Sequence, residues 1–230
     1  MTNVELINLG IPHLNSLQVA ELFAVEGLAY KPDAITIYSG YNNTLGLGQE
    51  MALKNWSRYW LVLNFIRVAR QQSLRISESL LLRETEVRTH DFTAGLERIL
   101  EIARNREIAV LPITQQMRAL PAATIYEQHL AYVDEIGVLE NKLKADGDLS
   151  LLEGKMLIHQ SLTRSLRRWA KNNKLELIDG IELLDEHRHL LTSYVHLAPL
   201  ANQLLALAIT DGLAAQFGCP QLETPLHHEP

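Results

Sequence analysis

Short β-branched runs alternating with helix-length amphipathic stretches leave a chain few ways to fold, and this one opens with such an alternation. Val4-Glu5-Leu6-Ile7-Asn8-Leu9-Gly10 has the composition of a short strand, ended by Gly10 and by Pro12, which has no amide hydrogen to offer a ladder. Ser16 reads as the N-cap of a helix carrying Leu17, Ala20, Leu22, Phe23 and Leu28 to about Ala29, and Lys31-Pro32-Asp33 breaks it. Ala34-Ile35-Thr36-Ile37-Tyr38 follows as a β-branched strand closed by Gly40. Together these make one β-α-β unit, which crosses over right-handed into a parallel sheet.

The pattern recurs. Phe92 to Arg104 spaces Leu96, Ile99, Leu100 and Ala103 helically before the strand Ile108–Ile113, and Met156 to Lys171 does so with Leu157, Leu162, Leu166 and Trp169 before Leu175–Asp179. A last helix starts at Pro199 and carries Leu204, Leu205, Leu207 and Ile209 to about Ala215, leaving a polar tail over 219–230. The expectation is an α/β three-layer sandwich, one domain over 1–218, with predominantly helical insertions at about 44–91 and 120–150. Both insertions follow strand ends, where ligands sit in open parallel sheets, so they are candidates to wall or cover a site. In the first, Leu53, Trp56, Tyr59, Trp60, Leu63 and Ile66 form a stripe at helical spacing, read as packed on the core, with an acyl-chain groove or a membrane-resting surface as alternatives.

Charge and composition exclude several functions. A net charge of -6 and a pI near 5.8 give no footprint for phosphate backbones, so nucleic acid is not an expected partner. Arg164, Arg167, Arg168, Lys171 and Lys174 fit one wet helix face. The lone Cys219 has no internal disulfide partner, which suits a reducing compartment without proving it. Asn3 and Glu5 interrupt the N-terminus early, so no export signal is read there, and Asn64 and Arg67 stop the apolar run Tyr59–Leu63 far short of the ~20 residues of a membrane span. The chain as it stands reads as soluble and cytoplasmic, its true compartment left open. His187-Arg188-His189 with Asp185 and Glu186 lacks a third ligand of defined spacing, and no metal is assigned. Gly46-Leu47-Gly48 lacks the third glycine of a dinucleotide fingerprint, and His227-His228 sit in the tail; no cofactor is expected.

Two segments stand out at element ends: Tyr38-Ser39-Gly40-Tyr41-Asn42-Asn43, and Ser193-Tyr194-Val195-His196-Leu197-Ala198-Pro199. Asn42 just past a strand is also a residue that turns favour for its own backbone bonding, and His196 before a helix is also an ordinary flanking histidine. The order of strand, Asn8-Leu9-Gly10, capped helix, Tyr30-Lys31-Pro32-Asp33, strand, Gly40-Tyr41-Asn42 and finally Val195-His196-Leu197 resembles the SGNH (GDSL-type) hydrolases over most of the chain. The resemblance implies a parallel flavodoxin-like sheet and hydrolysis of a carboxylic or O-acyl ester by a serine nucleophile. It places Asn42, with Gly40, in the oxyanion hole and makes His196 the base. Ser193 stands where the family has the aspartate that orients the histidine. His13 stands at the family's second-block glycine, where a backbone amide serves and a side chain requires a negative φ. Asp185 and Asp179 are read as caps or solvated carboxylates. No Gly-Asp-Ser block precedes Val4, so the central first strand and its serine are expected to be missing, as in an N-terminal truncation. An inactive SGNH-like binding protein and an unrelated flavodoxin-like binding domain stand as alternatives.

Overall fold

The computed structural model describes residues 4–44 and 74–219. The apolar stripe at 53–66, Gly46-Leu47-Gly48 and His227-His228 lie outside the described residues. Helix α1 spans Ser16–Val25. Its cap is Asn15, one residue before the expected serine: Asn15 Oδ1 accepts from Gln18 N at 3.0 Å while Gln18 Oε1 accepts from Asn15 N at 3.0 Å. Ser16 is released for a tertiary task taken up below. A 3-10 turn over Gly27–Tyr30 and a left-handed Lys31 (φ 51) lead into β1, Ala34–Tyr38.

Strand β2, Arg75–Ser77, enters α2, a single 27-residue helix over Glu78–Arg104 capped by Ser77. The last part of the expected first insertion, 78–91, is therefore the leading half of this crossover helix. Its apolar stripe runs on without a breaker, and Leu96, Ile99, Leu100 and Ala103 are all at most 2% exposed. A Cβ at Gly95 would lie 2.5 Å from the Ser16 carbonyl carbon, so glycine there lets α1 lie directly on α2. Strand β3, Ala109–Ile113, pairs parallel with β1 in the register Ala34↔Ala109 to Tyr38↔Ile113.

The second insertion is mostly helical, as expected: α3 spans Ala122–Glu127, α4 Tyr132–Asp146, and β4, Asp148–Ser150, pairs antiparallel with β2. Helix α5, Leu151–Asn172, begins five residues before the sequence-based start, because Ser150 and Glu153 form a capping box. A four-residue α6, Gly180–Leu183, and a 3-10 turn, Asp185–Leu190, precede α7, Pro199–Gln216, with Pro199 in its first turn as expected. Among the described residues no helix is long and apolar enough to cross a membrane.

Two expected strands do not form. Val4–Leu9 makes no ladder, with Val4 90% and Leu6 92% exposed. A strand exists only through its neighbour, and no described strand pairs with the free edge of β1 where this segment's partner would lie. Leu175–Asp179 is reduced to a bridge, Ile113↔Ile178, with Ile178 N donating to Pro112 O and Thr114 N to Ile178 O, both at 3.0 Å. The chain turns immediately afterwards into α6, where a Cβ on Gly180 would stand 2.4 Å from Thr114 O. The result is a mixed α/β fold with a small parallel sheet and many helices.

Candidate functional site

The end of β1 is shaped by Gly40, whose φ of 153° lies where only glycine is comfortable. A 3-10 turn over Tyr41–Thr44 follows, closed by Asn43 N donating to Gly40 O at 3.0 Å and by Thr44 Oγ1 donating to Tyr41 O at 2.6 Å. Tyr41 N donates to Gln115 Oε1 at 2.9 Å, fastening the turn to the loop after β3. Asn43 exchanges two bonds with Ser16: Ser16 N donates to Asn43 Oδ1 at 3.1 Å, and Asn43 Nδ2 donates to Ser16 Oγ at 3.0 Å. The serine hydroxyl passes its own hydrogen to Asp91 O, 3.2 Å away. Asn42, half-buried, is thus held between two anchored neighbours. The sequence singled out Asn42 and passed over Asn43, whose role depends on a partner 27 residues away.

The second segment is a turn built locally. Ser193 Oγ and His196 Nδ1 are 2.7 Å apart, and the backbone amides of Val195 and His196 donate to the same Oγ at 3.3 and 3.2 Å. Thr192 N donates to His196 O at 2.8 Å, and Leu191↔Leu197 closes the turn's base. With two amides on its oxygen, Ser193 is left to give its hydrogen to Nδ1, which puts the imidazole proton on Nε2. An aspartate accepts only, and would hold the proton on Nδ1 and leave Nε2 free as a base.

The two turns meet. The rings of Tyr41 and Tyr194 lie 5.4 Å apart at 40°, and burial, followed by the Tyr194 hydroxyl, pushes the Tyr41 phenol well above its usual range. Arg118 N donates to Tyr194 O at 2.9 Å, tying the histidine turn to the loop after β3. His13 is exposed and takes a φ of 72°, the left-handed conformation that a glycine adopts freely, contrary to the negative φ expected of a side chain there.

Arg188 anchors the stem of the histidine turn. It is 1% exposed and donates to Leu130 O at 2.9 Å, Met117 O at 2.8 Å and Glu135 Oε2. Glu135 Oε1 in turn accepts from Ala119 N at 2.7 Å and Leu120 N at 2.6 Å. The middle residue of His187-Arg188-His189 is thus a buried cation, and among the described residues no three metal-ligating side chains cluster. No signal in the sequence links residues 135 and 188.

Asp179 and Asp185 are both committed elsewhere. Asp179 accepts from Arg167 Nε at 2.7 Å and from Thr114 Oγ1 at 2.8 Å, and caps α6. Burial raises its carboxyl, but the Arg167 pair, the Thr114 hydroxyl and the Glu182 amide together hold it below its usual range. Arg167 is therefore half-buried, not on the wet face expected of it. Asp185 Oδ1 accepts from Tyr132 N at 2.7 Å at the start of α4. A cleft of about 240 Å³ lined by Tyr132, Thr163, Arg167, Ile181 and Asp185 contains none of the expected site residues.

The fold is similar to that of a GDSL-like lipase. That protein, from Bacteroides thetaiotaomicron, superposes with a TM-score of 0.52 at 11% identity, over 89% of this chain and 73% of its own. At that identity the likeness is one of fold. No family model matches the sequence, and no curated protein matches it significantly.

Proposed function

We infer that this chain is a hydrolase of carboxylic or O-acyl esters working by an SGNH-type mechanism. The observation that carries the reading is the meeting of the Gly40–Tyr41–Asn42 and Ser193–His196 turns, through Tyr41 and Tyr194, on a GDSL-like fold. In the reaction proposed, the ring proton of His196 first moves to Nδ1, with Ser193 Oγ turned to accept it, and a serine from outside the described residues then attacks the ester carbonyl and loses its proton to the freed Nε2. The negative charge that develops on the carbonyl oxygen is met by the Asn42 amide and by backbone amides at Gly40 and His13. The imidazolium returns its proton to the departing alcohol, and water repeats the sequence to free the acid.

Ser193 takes the aspartate's place in this scheme. It contacts Nδ1 but carries no charge to steady the imidazolium, so turnover is expected to be slow. The domain limits 1–218 and the sandwich with an unfilled central strand belong to the same proposal. Its support is that β1 pairs only with β3 among the described residues, while Leu9 lies against Gly27 on the other side of α1's end without joining a ladder.

The test is hydrolysis of p-nitrophenyl acetate by the protein as encoded, with whatever its gene supplies upstream of Met1. Turnover that falls about 10³- to 10⁴-fold in His196→Ala supports the reading. Turnover unchanged in that variant, or absent from the encoded protein, ends it and leaves a binding protein on a hydrolase-like fold.

A further inference from the structure

Beneath the Gly40–Tyr41–Asn42 turn lies a buried cation that the proposed reaction does not use. Lys155, on the face of α5 that packs against this turn, is 8% exposed, and its ammonium sits 5.9 Å from the centre of the Tyr41 ring. No carboxylate of the described residues comes within 4 Å of it. Glu153, on the same helix, is occupied by Lys142 Nζ at 2.7 Å and Ser150 N at 2.7 Å. A buried ammonium without a counter-charge is costly, and the face of one tyrosine returns only part of what water supplied.

A second unpartnered group lies one turn further along α5. His159 is fully buried, its Nδ1 is 2.9 Å from Tyr132 Oη, and its Nε2 has no partner among the described residues. That nitrogen faces the notch left by the missing Cβ of Gly40, 3.6 Å from where such an atom would stand. Two nitrogen groups thus aim at the underside of one loop with nothing described to satisfy them.

The geometry points to Lys155 as the residue that takes the carboxylate of an anionic ligand bound against the Gly40–Tyr41 turn, with His159 Nε2 beside it. Site and ligand then explain each other: the described residues offer Lys155 no counter-ion, and the ligand brings one. A single ammonium balances the one charge of a carboxylate, whereas a phosphate group carries about 1.5 to 2 negative charges and would leave part uncompensated. Burial also pushes the Lys155 ammonium below its usual range, and a carboxylate beside it would oppose that shift. Applied to the hydrolase reading, on which its place in catalysis rests, this names the substrate class as esters whose acyl part ends in a free carboxylate, or their acid products.

The experiment is thermal melting of the whole chain at constant ionic strength with succinate, inorganic phosphate or neutral dimethyl succinate. Succinate is expected to raise the midpoint saturably, dimethyl succinate not at all, and phosphate at least about tenfold more weakly. Lys155→Met should abolish the succinate response and, having lost a buried charge, melt about 3 °C above the wild type without ligand; Lys155→Gln serves if the Met variant does not fold. Lys171→Met, exposed near the far end of the same helix, should keep the full succinate response. A wild type indifferent to succinate, a response shared with dimethyl succinate or equalled by phosphate, or one that survives in both Lys155 variants overturns the proposal. Because no turnover is needed, a succinate response in a protein without esterase activity would remove the hydrolase reading and leave the carboxylate site standing.

Discussion

The two turns that meet at Tyr41 and Tyr194 are held in opposite ways. The asparagine turn hangs on long-range bonds, Asn43 to Ser16 and Tyr41 to Gln115, which join residues 27 and 74 positions apart. The histidine turn is tied mainly to itself, with Ser193 and His196 three residues apart, and reaches the rest of the fold at Tyr194, through Arg118 and Tyr41, and at its stem, through Arg188. One turn is thus set by the whole fold and the other mainly by a few neighbouring residues on a deep anchor. Such a division suits the roles proposed for the two turns, a fixed amide in one and an exposed imidazole in the other.

The sharpest way to break this contrast is at the anchor. Arg188→Ala strands the Glu135 carboxylate in the core and should cost about 3–5 kcal/mol by urea denaturation. If the partition is right, hydrogen exchange quickens over 115–120 and 185–198 and not over 40–44; uniform loss of protection would argue against it. Asn43→Ala tests the other half, leaving the Ser16 amide and hydroxyl without their partner at about 1–3 kcal/mol. Its disturbance should reach α1 and the Asn42 turn while the Ser193–His196 bond persists by NMR.

A smaller effect follows from His159. Burial, with Arg167 adding to it, lowers its pKa from 6.5 to about 3, so the unfolded chain binds a proton that the folded one refuses. Stability is therefore complete above pH 6.5 and declines as pH falls towards 3, by at most about 1.4 kcal/mol per unit. His159→Gln should flatten that slope between pH 6.5 and 5, and an unchanged slope would assign it to other groups.

The least effect on stability belongs to the histidine turn itself. His196→Ala is expected to change unfolding free energy by no more than about 0.5 kcal/mol, because the side chain is exposed. Ser193→Asp should be equally mild for folding, yet it fixes the Nδ1 proton, so any esterase rate should rise; a fall would show that the serine is preferred there.

Legibility followed the same division. The Ser193–His196 contact, the Pro199 start of α7 and the inward stripe of α5 could all be read from neighbours within a turn or two, because helix periodicity and local side-chain bonds are written in adjacent residues. Where reading failed, the missing information lay far along the chain. Asn15 took the cap because Ser16 was claimed by Asn43, and Arg188 turned inward because Glu135 waited there.

What the sequence determined by itself is therefore the existence of four of the helices, α1, α2, α5 and α7, and of the strands β1 and β3. Only the tertiary structure decided which strand-like segments became strands. Val4–Leu9 and Leu175–Asp179 have comparable composition to β3, but a strand's backbone is satisfied by another strand, and alternation along one segment says nothing of whether a neighbour stands beside it. The meeting of residues 41 and 194 is of the same kind, since it requires the chain between them to be folded before either ring has anything to touch.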